Sequence, residues 1–205
     1  MASSVICISR ALGAGGEDIA RRVSDRLGFV YVDEQIISRA AERSGIDPET
    51  VADEERRKSF MANLISMMAD GGATFGAPPL DPAWIEPSSE HVRSFIRDAI
   101  EEVAAKGNAV IVAHAASQAL GSGSGALRVL ITASPETRAA RLVEADGLDG
   151  AQAEKTIKSS DLARADYLKR FYGVQELPTS YDLVINTDAL SFDRAAETIV
   201  HAASH

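Results

Sequence analysis

The stretch that most constrains the fold is VICISRALGAGGEDIA, from Val5 to Ala20. Val5-Ile6-Cys7-Ile8 is a short apolar run rich in β-branched residues, and it reads as a buried strand. Gly13, Gly15 and Gly16 follow in a turn. Beyond them Ile19, Val23 and Leu27 recur every four residues, the apolar face of a helix that Gly28 ends. Strand, glycine turn and helix bring backbone N–H groups and a helix N-terminus onto one point, where an anion such as phosphate is held. Glycine suits such a turn because a Cβ would block the approach or forbid a positive φ. The motif departs from the standard phosphate loop, G-x-x-x-x-G-K-[ST]. Gly16 stands in place of the Lys, and Glu17 and Asp18 follow. A tight strand-to-helix turn, with both acids simply complementing the helix dipole, is the competing reading. First-turn carboxylates and a phosphate would compete for the same N–H groups.

A chain of 205 residues with 45% hydrophobic and 25% charged residues fits one globular domain with a sizeable core. The formal net charge of -9 argues against nucleic acid or an anionic membrane as the main partner. It leaves room for a nucleotide, because a local cluster of Arg dominates inside a cleft. Cys7 is the single cysteine, so no internal disulfide forms and burial in the first strand is its expected role. The apolar run after MASS is too short for a signal peptide or membrane span, so a cytoplasmic location is the default expectation.

Along the chain, Phe29 to Val32 predicts a second strand ending at Asp33, an acid placed either to meet a ligand or to cap the next helix. That helix is predicted from Glu34 to Arg43. Another opens at Asp47-Pro48, passes through the charged run Asp53 to Lys58, and ends on Met67 and Met68, which read as core or a dimer surface. From Gly71 to Pro87, four Pro, three Gly and Trp84 predict a long loop of the kind that forms lids. Ser88 or Ser89 caps a helix closing at Gly107. Ala109 to Val112 predicts a third strand buried on both faces. His114, in the turn after it, is either a hydrogen-bonded turn residue or a base at a strand end. Gly121 to Gly125 is a flexible connection. Arg128 to Ile131 predicts the fourth strand, followed by a helix with Ser134 as cap and Pro135 at its first position. A helix from about Ala151 to Tyr172 carries Lys155, Lys158, Arg164, Lys169 and Arg170, a basic island in an acidic protein. Asp182 to Ile185 is the last strand, and Phe192 to Ala202 the closing helix. Strands alternating with helices, without hairpins, predict a three-layer α/β domain with a parallel sheet of about five strands.

Five segments in this order resemble the cytidylate kinase-like family, relatives of the nucleoside monophosphate kinases with the P-loop fold. They are ISRALGAGGEDIA, YVDEQIISRAAERSG, ITASPETRAARL, IKSSDLARADYLKRFYG and YDLVINTDAL. The resemblance implies one α/β/α P-loop NTPase-like domain over residues 1–205, with a helical acceptor-side insert at 46–106 and a lid-like helical segment at 147–175. It implies ATP and Mg2+ as cofactors, a nucleoside monophosphate or other small acceptor, and a γ-phosphoryl transfer. Gly13, Ala14, Gly15 and Gly16 match the family's phosphate loop, with Arg10 preceding them. Asp18 lies at the position of the magnesium-binding hydroxyl. Asp33 matches the acid beside the monophosphate acceptor. Arg138 and Arg141 match arginines near the transferred phosphoryl group. Asp161, Arg164 and Arg170 fall in the lid-like helices, and Asn186 and Thr187 border the donor's base. Arg suits such work because its planar fork grips two phosphate oxygens at once. For Arg138, Arg141, Arg164 and Arg170 the competing reading is ordinary surface ion pairing with neighbouring acids.

The chain also departs from the family pattern. The glycine loop commonly reads G-S-G-G-R-E, and here Glu17 replaces the Arg. The turn after the third strand commonly reads G-R-G-A, and here it is Ala113-His114-Ala115-Ala116. Two cations lost at phosphate contacts weaken binding by several kcal/mol unless replaced. The chain is therefore read as an ATP-dependent phosphotransferase or, alternatively, as a catalytically degenerate nucleotide-binding or protein-interaction protein on the same scaffold. A homodimer through the methionine-rich helix and the proline-rich loop is compatible with either.

Overall fold

The computed structural model describes residues 3–33, 90–112 and 115–204. Its strands are β1 (Val5–Arg10), β2 (Val30–Asp33), β3 (Ala109–Val112), β4 (Leu127–Thr132) and β5 (Leu183–Asn186). Its helices are α1 (Gly16–Leu27), α2 (Glu90–Lys106), α3 (Ala116–Leu120), α4 (Pro135–Asp146), α5 (Gly150–Tyr172) and α6 (Phe192–Ser204). The strands form one parallel sheet in the order β2-β3-β1-β4-β5.

The centre of the sheet is buried on both faces because β1 and β3 carry apolar residues at successive positions. Side chains alternate along β1, so Val5 and Cys7 pack with α2 and α3, against Ile100, Val103 and Ala116. Ile6 and Ile8 face the other way, onto Ile19 and Val23 of α1 and Ile199 of α6. Each of the buried Ile and Val side chains among them contributes about 1.5–3 kcal/mol. A smaller apolar cluster joins α4 and α5 through Leu142, Ala153 and Ile157, with Leu12 of the glycine turn packed against it. The architecture is the expected three-layer α/β fold.

Local chemistry sets the helix ends. Gly28, Gly147 and Gly173 close α1, α4 and α5 in the left-handed conformation. The Ser134 hydroxyl accepts from the Thr137 N–H, with Pro135 in the first turn, as the sequence predicts. Asp149 and Gln152 form a capping box at α5. β1 runs two residues past the apolar run, because Ser9 and Arg10 keep pairing with Leu130 and Ile131 of β4. The short helix α3 stands where the sequence pattern predicts only a turn. The predicted helices over 34–43 and 47–68, the loop Gly71–Pro87, the caps Ser88 and Ser89, and His114 lie outside the described residues. Of the 46–106 segment, α2 lies within them.

The strand order has a functional consequence. β1 leads out to β2 on one side of the sheet, and β3 leads out to β4 on the other. Their carboxyl ends therefore flank a topological switch point, where ligands bind in open α/β sheets. The glycine turn leaves β1 at that point.

Candidate functional site

The turn from β1 to α1 is built on two left-handed glycines, Gly13 at φ 78° and Gly15 at φ 81°. Inside it the Ala14 N–H donates to the Ala11 carbonyl at 3.0 Å. Gly15 is the N-cap of α1 and offers no side-chain acceptor, so the first-turn N–H groups carry no side-chain cap. Glu17 and Asp18 stand in that turn. The glycines also answer to packing, a role the sequence does not display. A Cβ on Gly15 would lie 2.1 Å from the Phe192 ring at the start of α6, and one on Gly16 would lie 2.5 Å from Arg10 Cβ. One on Gly13 would lie 2.8 Å from the Arg138 carbonyl.

Three arginines converge on the carbonyl side of this turn. Arg138, on α4 and 5% exposed, donates from Nε to the Leu12 carbonyl at 2.6 Å. Its two Nη atoms grip the Asp161 carboxylate of α5 at 2.7 and 3.0 Å. Arg141, one turn further along α4, donates to the Gly13 carbonyl at 3.2 Å and to the Thr187 hydroxyl and carbonyl at 2.9 and 2.7 Å. Its guanidinium lies 5.0 Å from the centre of the Phe192 ring. Among the described residues Arg141 forms no ion pair. Arg164, on α5 and 8% exposed, donates from Nη1 to the Arg10 carbonyl. Its Nε donates to Glu176 at 2.8 Å, and Nη2 donates to the same carboxylate. Burial opposes the charge of Arg164, and Glu176 together with Tyr181 more than offsets it, so the guanidinium stays charged.

The remaining predicted residues are distributed around this centre. Arg10 turns its side chain onto Glu17, with Nε at 3.0 Å and Nη2 at 2.5 Å from one carboxylate oxygen. Asp18 is exposed on the first turn of α1. The Thr187 hydroxyl bonds the Ala14 carbonyl at 2.9 Å, tying the exit of β5 to the glycine turn. Asn186 accepts from the Asp188 N–H at 2.8 Å, and Asp188 in turn accepts from the Ser134 N–H and hydroxyl. Asp33 ends β2, in register with Val112 of β3. Burial first, and then the charge of Asp33, push the nearby Tyr31 hydroxyl up, while Arg21 lies 4.2 Å over the Tyr31 ring. Arg170 is exposed, with its guanidinium 5.2 Å from the Phe171 ring, and does not join the other arginines.

A pocket of about 200 Å³ opens beside the turn. It is lined by Ala11, Leu130 and Thr132 at the strand ends, Arg138 on α4, Asp161, Arg164 and Ala165 on α5, and Glu176. The structure thus brings together Arg10, Gly13–Gly16, Arg138, Arg141, Asp161, Arg164 and Thr187. It adds Glu176, Tyr181 and Phe192, which sequence reasoning missed. Glu176 is an isolated acid in an irregular segment, and no local pattern marks it. Surface ion pairing, the bland reading of the arginines, is right about the pairing and wrong about the surface for Arg138 and Arg164.

Among the described residues no group of three or more His, Cys, Asp or Glu is arranged to hold a metal. Asp18 supplies one exposed carboxylate, which fits Mg2+ arriving with substrate phosphates, since that ion is held by one or two carboxylates plus phosphate oxygens. No helix among the described residues is long and apolar enough to cross a membrane.

The chain belongs to the cytidylate kinase-like family, whose sequence profile matches residues 5–189. No curated protein matches the sequence. Among solved structures, an uncharacterized protein from Eubacterium ventriosum has a TM-score of 0.67 at 19% identity, over 97% of both chains. A shikimate kinase from Bacteroides thetaiotaomicron has a TM-score of 0.53 at 13% identity, again over 97% of both chains. At these identities the likeness is one of fold, the three-layer α/β architecture of P-loop kinases.

Proposed function

We propose that this cytidylate kinase-like protein is a phosphotransferase that moves the γ-phosphoryl of ATP, as its magnesium complex, to a small acceptor such as a nucleoside monophosphate. The single observation that carries the reading is the glycine turn. It delivers the N-terminus of α1, free of any side-chain cap, to the switch point between β1 and β3. Phosphoryl transfer asks a protein mainly for positioning and for neutralisation of charge on phosphate oxygens. A bound magnesium triphosphate supplies the phosphoryl group and part of the neutralising charge.

The chain's own residues would do the rest. The first-turn N–H groups of α1 would hold phosphate oxygens, and Asp18 would reach the metal. Arg141, bonded to neutral groups at the base of the turn, contributes positive charge that no described carboxylate cancels. Arg138 and Arg164 share their charge with Asp161 and Glu176, so in this arrangement they hold α5 against the turn. Asp33 would face the acceptor from the end of β2. We treat residues 1–205 as one domain, with 147–175 as the lid-like segment and 46–106 as the acceptor-side insert. A homodimer and a cytoplasmic location remain part of the proposal.

Calorimetric titration with ATP and magnesium, then with CMP, tests the reading. Micromolar ATP binding followed by turnover of an acceptor supports it; no heat and no thermal shift at millimolar nucleotide overturns it. A second reading, a non-catalytic protein on the same scaffold, is favoured by one observation. Glu17 neutralises Arg10 beside the turn, where a kinase needs positive charge. Nucleotide binding without turnover of any common nucleotide acceptor would favour that alternative.

A further inference from the structure

A chain of buried and partly buried polar groups runs beneath the glycine turn, from the β3 side of the sheet to α5. Ser117 of α3 lies with its hydroxyl 3.5 Å from that of Ser9 on β1, and both residues are at most 1% exposed. Ser9 lies beside the Tyr181 hydroxyl. Tyr181, 7% exposed, donates to the Glu176 carboxylate. Glu176 accepts the Nε and Nη2 hydrogens of Arg164, and Arg164 Nη1 donates to the carbonyl of Arg10. Arg10 is the last residue of β1, the point from which the turn departs.

We propose that Glu176 is a positioning residue of the phosphate site: fixed by Tyr181, it turns the Arg164 guanidinium onto the Arg10 carbonyl and sets where the glycine turn begins. The inference rests on the phosphotransfer reading for its functional half. A guanidinium is planar, so two bonds to one carboxylate fix its plane and the direction of its third edge. That edge is the one on Arg10. Arg138 and Arg141 hold the next carbonyls, those of Leu12 and Gly13, but from α4 and without Glu176. Glu176 therefore controls the upstream anchor alone. A largely buried network of this kind holds one geometry when complete and loosens locally when one member is lost.

The test compares Glu176→Gln, Glu176→Asp and Tyr181→Phe with Ile199→Val, a buried change in the apolar layer on the other face of the sheet. Amide hydrogen exchange of residues 11–16 and titration with magnesium ATP are read on each folded protein. Glu176→Gln is expected to speed exchange in this segment about tenfold and to weaken ATP binding by a similar factor. Glu176→Asp, which keeps the charge, should recover part of both effects, while Ile199→Val lowers Tm and leaves both unchanged. If Glu176→Gln does not fold, Tyr181→Phe carries the same test with a smaller expected effect of about threefold. Loss of Tm with unaltered exchange at 11–16 would overturn the proposal. Faster exchange in a protein that binds no nucleotide would overturn the phosphotransfer reading and leave the anchoring of the turn by Glu176 standing. Nucleotide binding with unaltered exchange would do the reverse.

Discussion

Arg138 and Asp161 meet as fork and carboxylate at 2.7 and 3.0 Å, and the Nε edge of the same guanidinium holds the Leu12 carbonyl at 2.6 Å. One side chain thus joins α4, α5 and the glycine turn. Its 5% exposure means that its loss leaves a carbonyl and a half-exposed carboxylate without their donor.

Arg138→Ala is expected to cost about 2 kcal/mol in urea unfolding, most of it from the orphaned Leu12 carbonyl. Asp161→Asn should cost less than about 1 kcal/mol, because Asp161 is 45% exposed and water replaces part of the lost pair. Equal losses for the two substitutions would contradict the asymmetry argued from burial.

Gly15 and Gly147 separate two penalties of adding a side chain. Both have positive φ, but nothing lies within 4 Å of a Cβ on Gly147, whereas one on Gly15 strikes the Phe192 ring. Gly147→Ala should destabilise by about 1 kcal/mol through backbone strain alone. Gly15→Ala should cost roughly 2–4 kcal/mol, strain and overpacking together. In a Phe192→Ala background the excess should shrink towards the Gly147 value, as thermal unfolding of these variants beside the natural chain will tell.

Glu17 is half exposed and holds the side chain of Arg10. Glu17→Gln should free that guanidinium for a phosphate and tighten magnesium ATP binding by about fivefold, near 1 kcal/mol. Glu17→Arg should tighten it further. Calorimetry at low and moderate salt checks both the gain and its electrostatic origin, since the gain should fall as salt rises. An unchanged affinity in both variants would mean that the Arg10–Glu17 pair does not limit anion binding.

Acid stability carries the signature of Asp182. Its bonds to the Arg128 side chain hold its carboxyl below the ordinary range, chiefly through the two hydrogen bonds at 3.0 and 2.7 Å. A depressed folded pKa means that the contribution is fully present above the unfolded value near 3.8 and is lost as pH falls through the folded value. Stability of the natural chain should therefore drop on acidification from about pH 5 downwards. Asp182→Asn should show a shallower drop over the same window, measured by urea unfolding at stepped pH. Identical slopes would assign the acid sensitivity to other carboxylates.

Cys7 offers a simple check on the core. Burial pushes its thiol up to about 12, with 0% of the residue exposed. Native protein at pH 8 should resist iodoacetamide for hours and react promptly in denaturant. Fast labelling of folded protein would place β1 nearer the surface than the sheet allows.

Most elements of this protein are local facts, legible in the spacing of residues along the chain; the short α3 is the exception. Apolar runs at Val5–Ile8 and Ala109–Val112, the four-residue recurrence of Ile19, Val23 and Leu27, and the glycine stops at Gly28 and Gly107 depend on spacing within a few residues. The alternation of strand and helix then implies a parallel sheet, because hairpins are absent and crossovers need helices. The partners of the arginines are a different kind of fact. Arg138 finds Leu12 across 126 positions, and Arg164 finds the Arg10 carbonyl across 154. Such pairings exist only once α4 and α5 are laid over the carboxyl ends of β1 and β4. The same holds for Gly15, whose lack of a side chain makes room for Phe192 from the far end of the chain. Sequence names the charged and the small residues; only tertiary packing decides which groups they must satisfy, because desolvation makes a buried guanidinium take whatever acceptors the fold brings within reach.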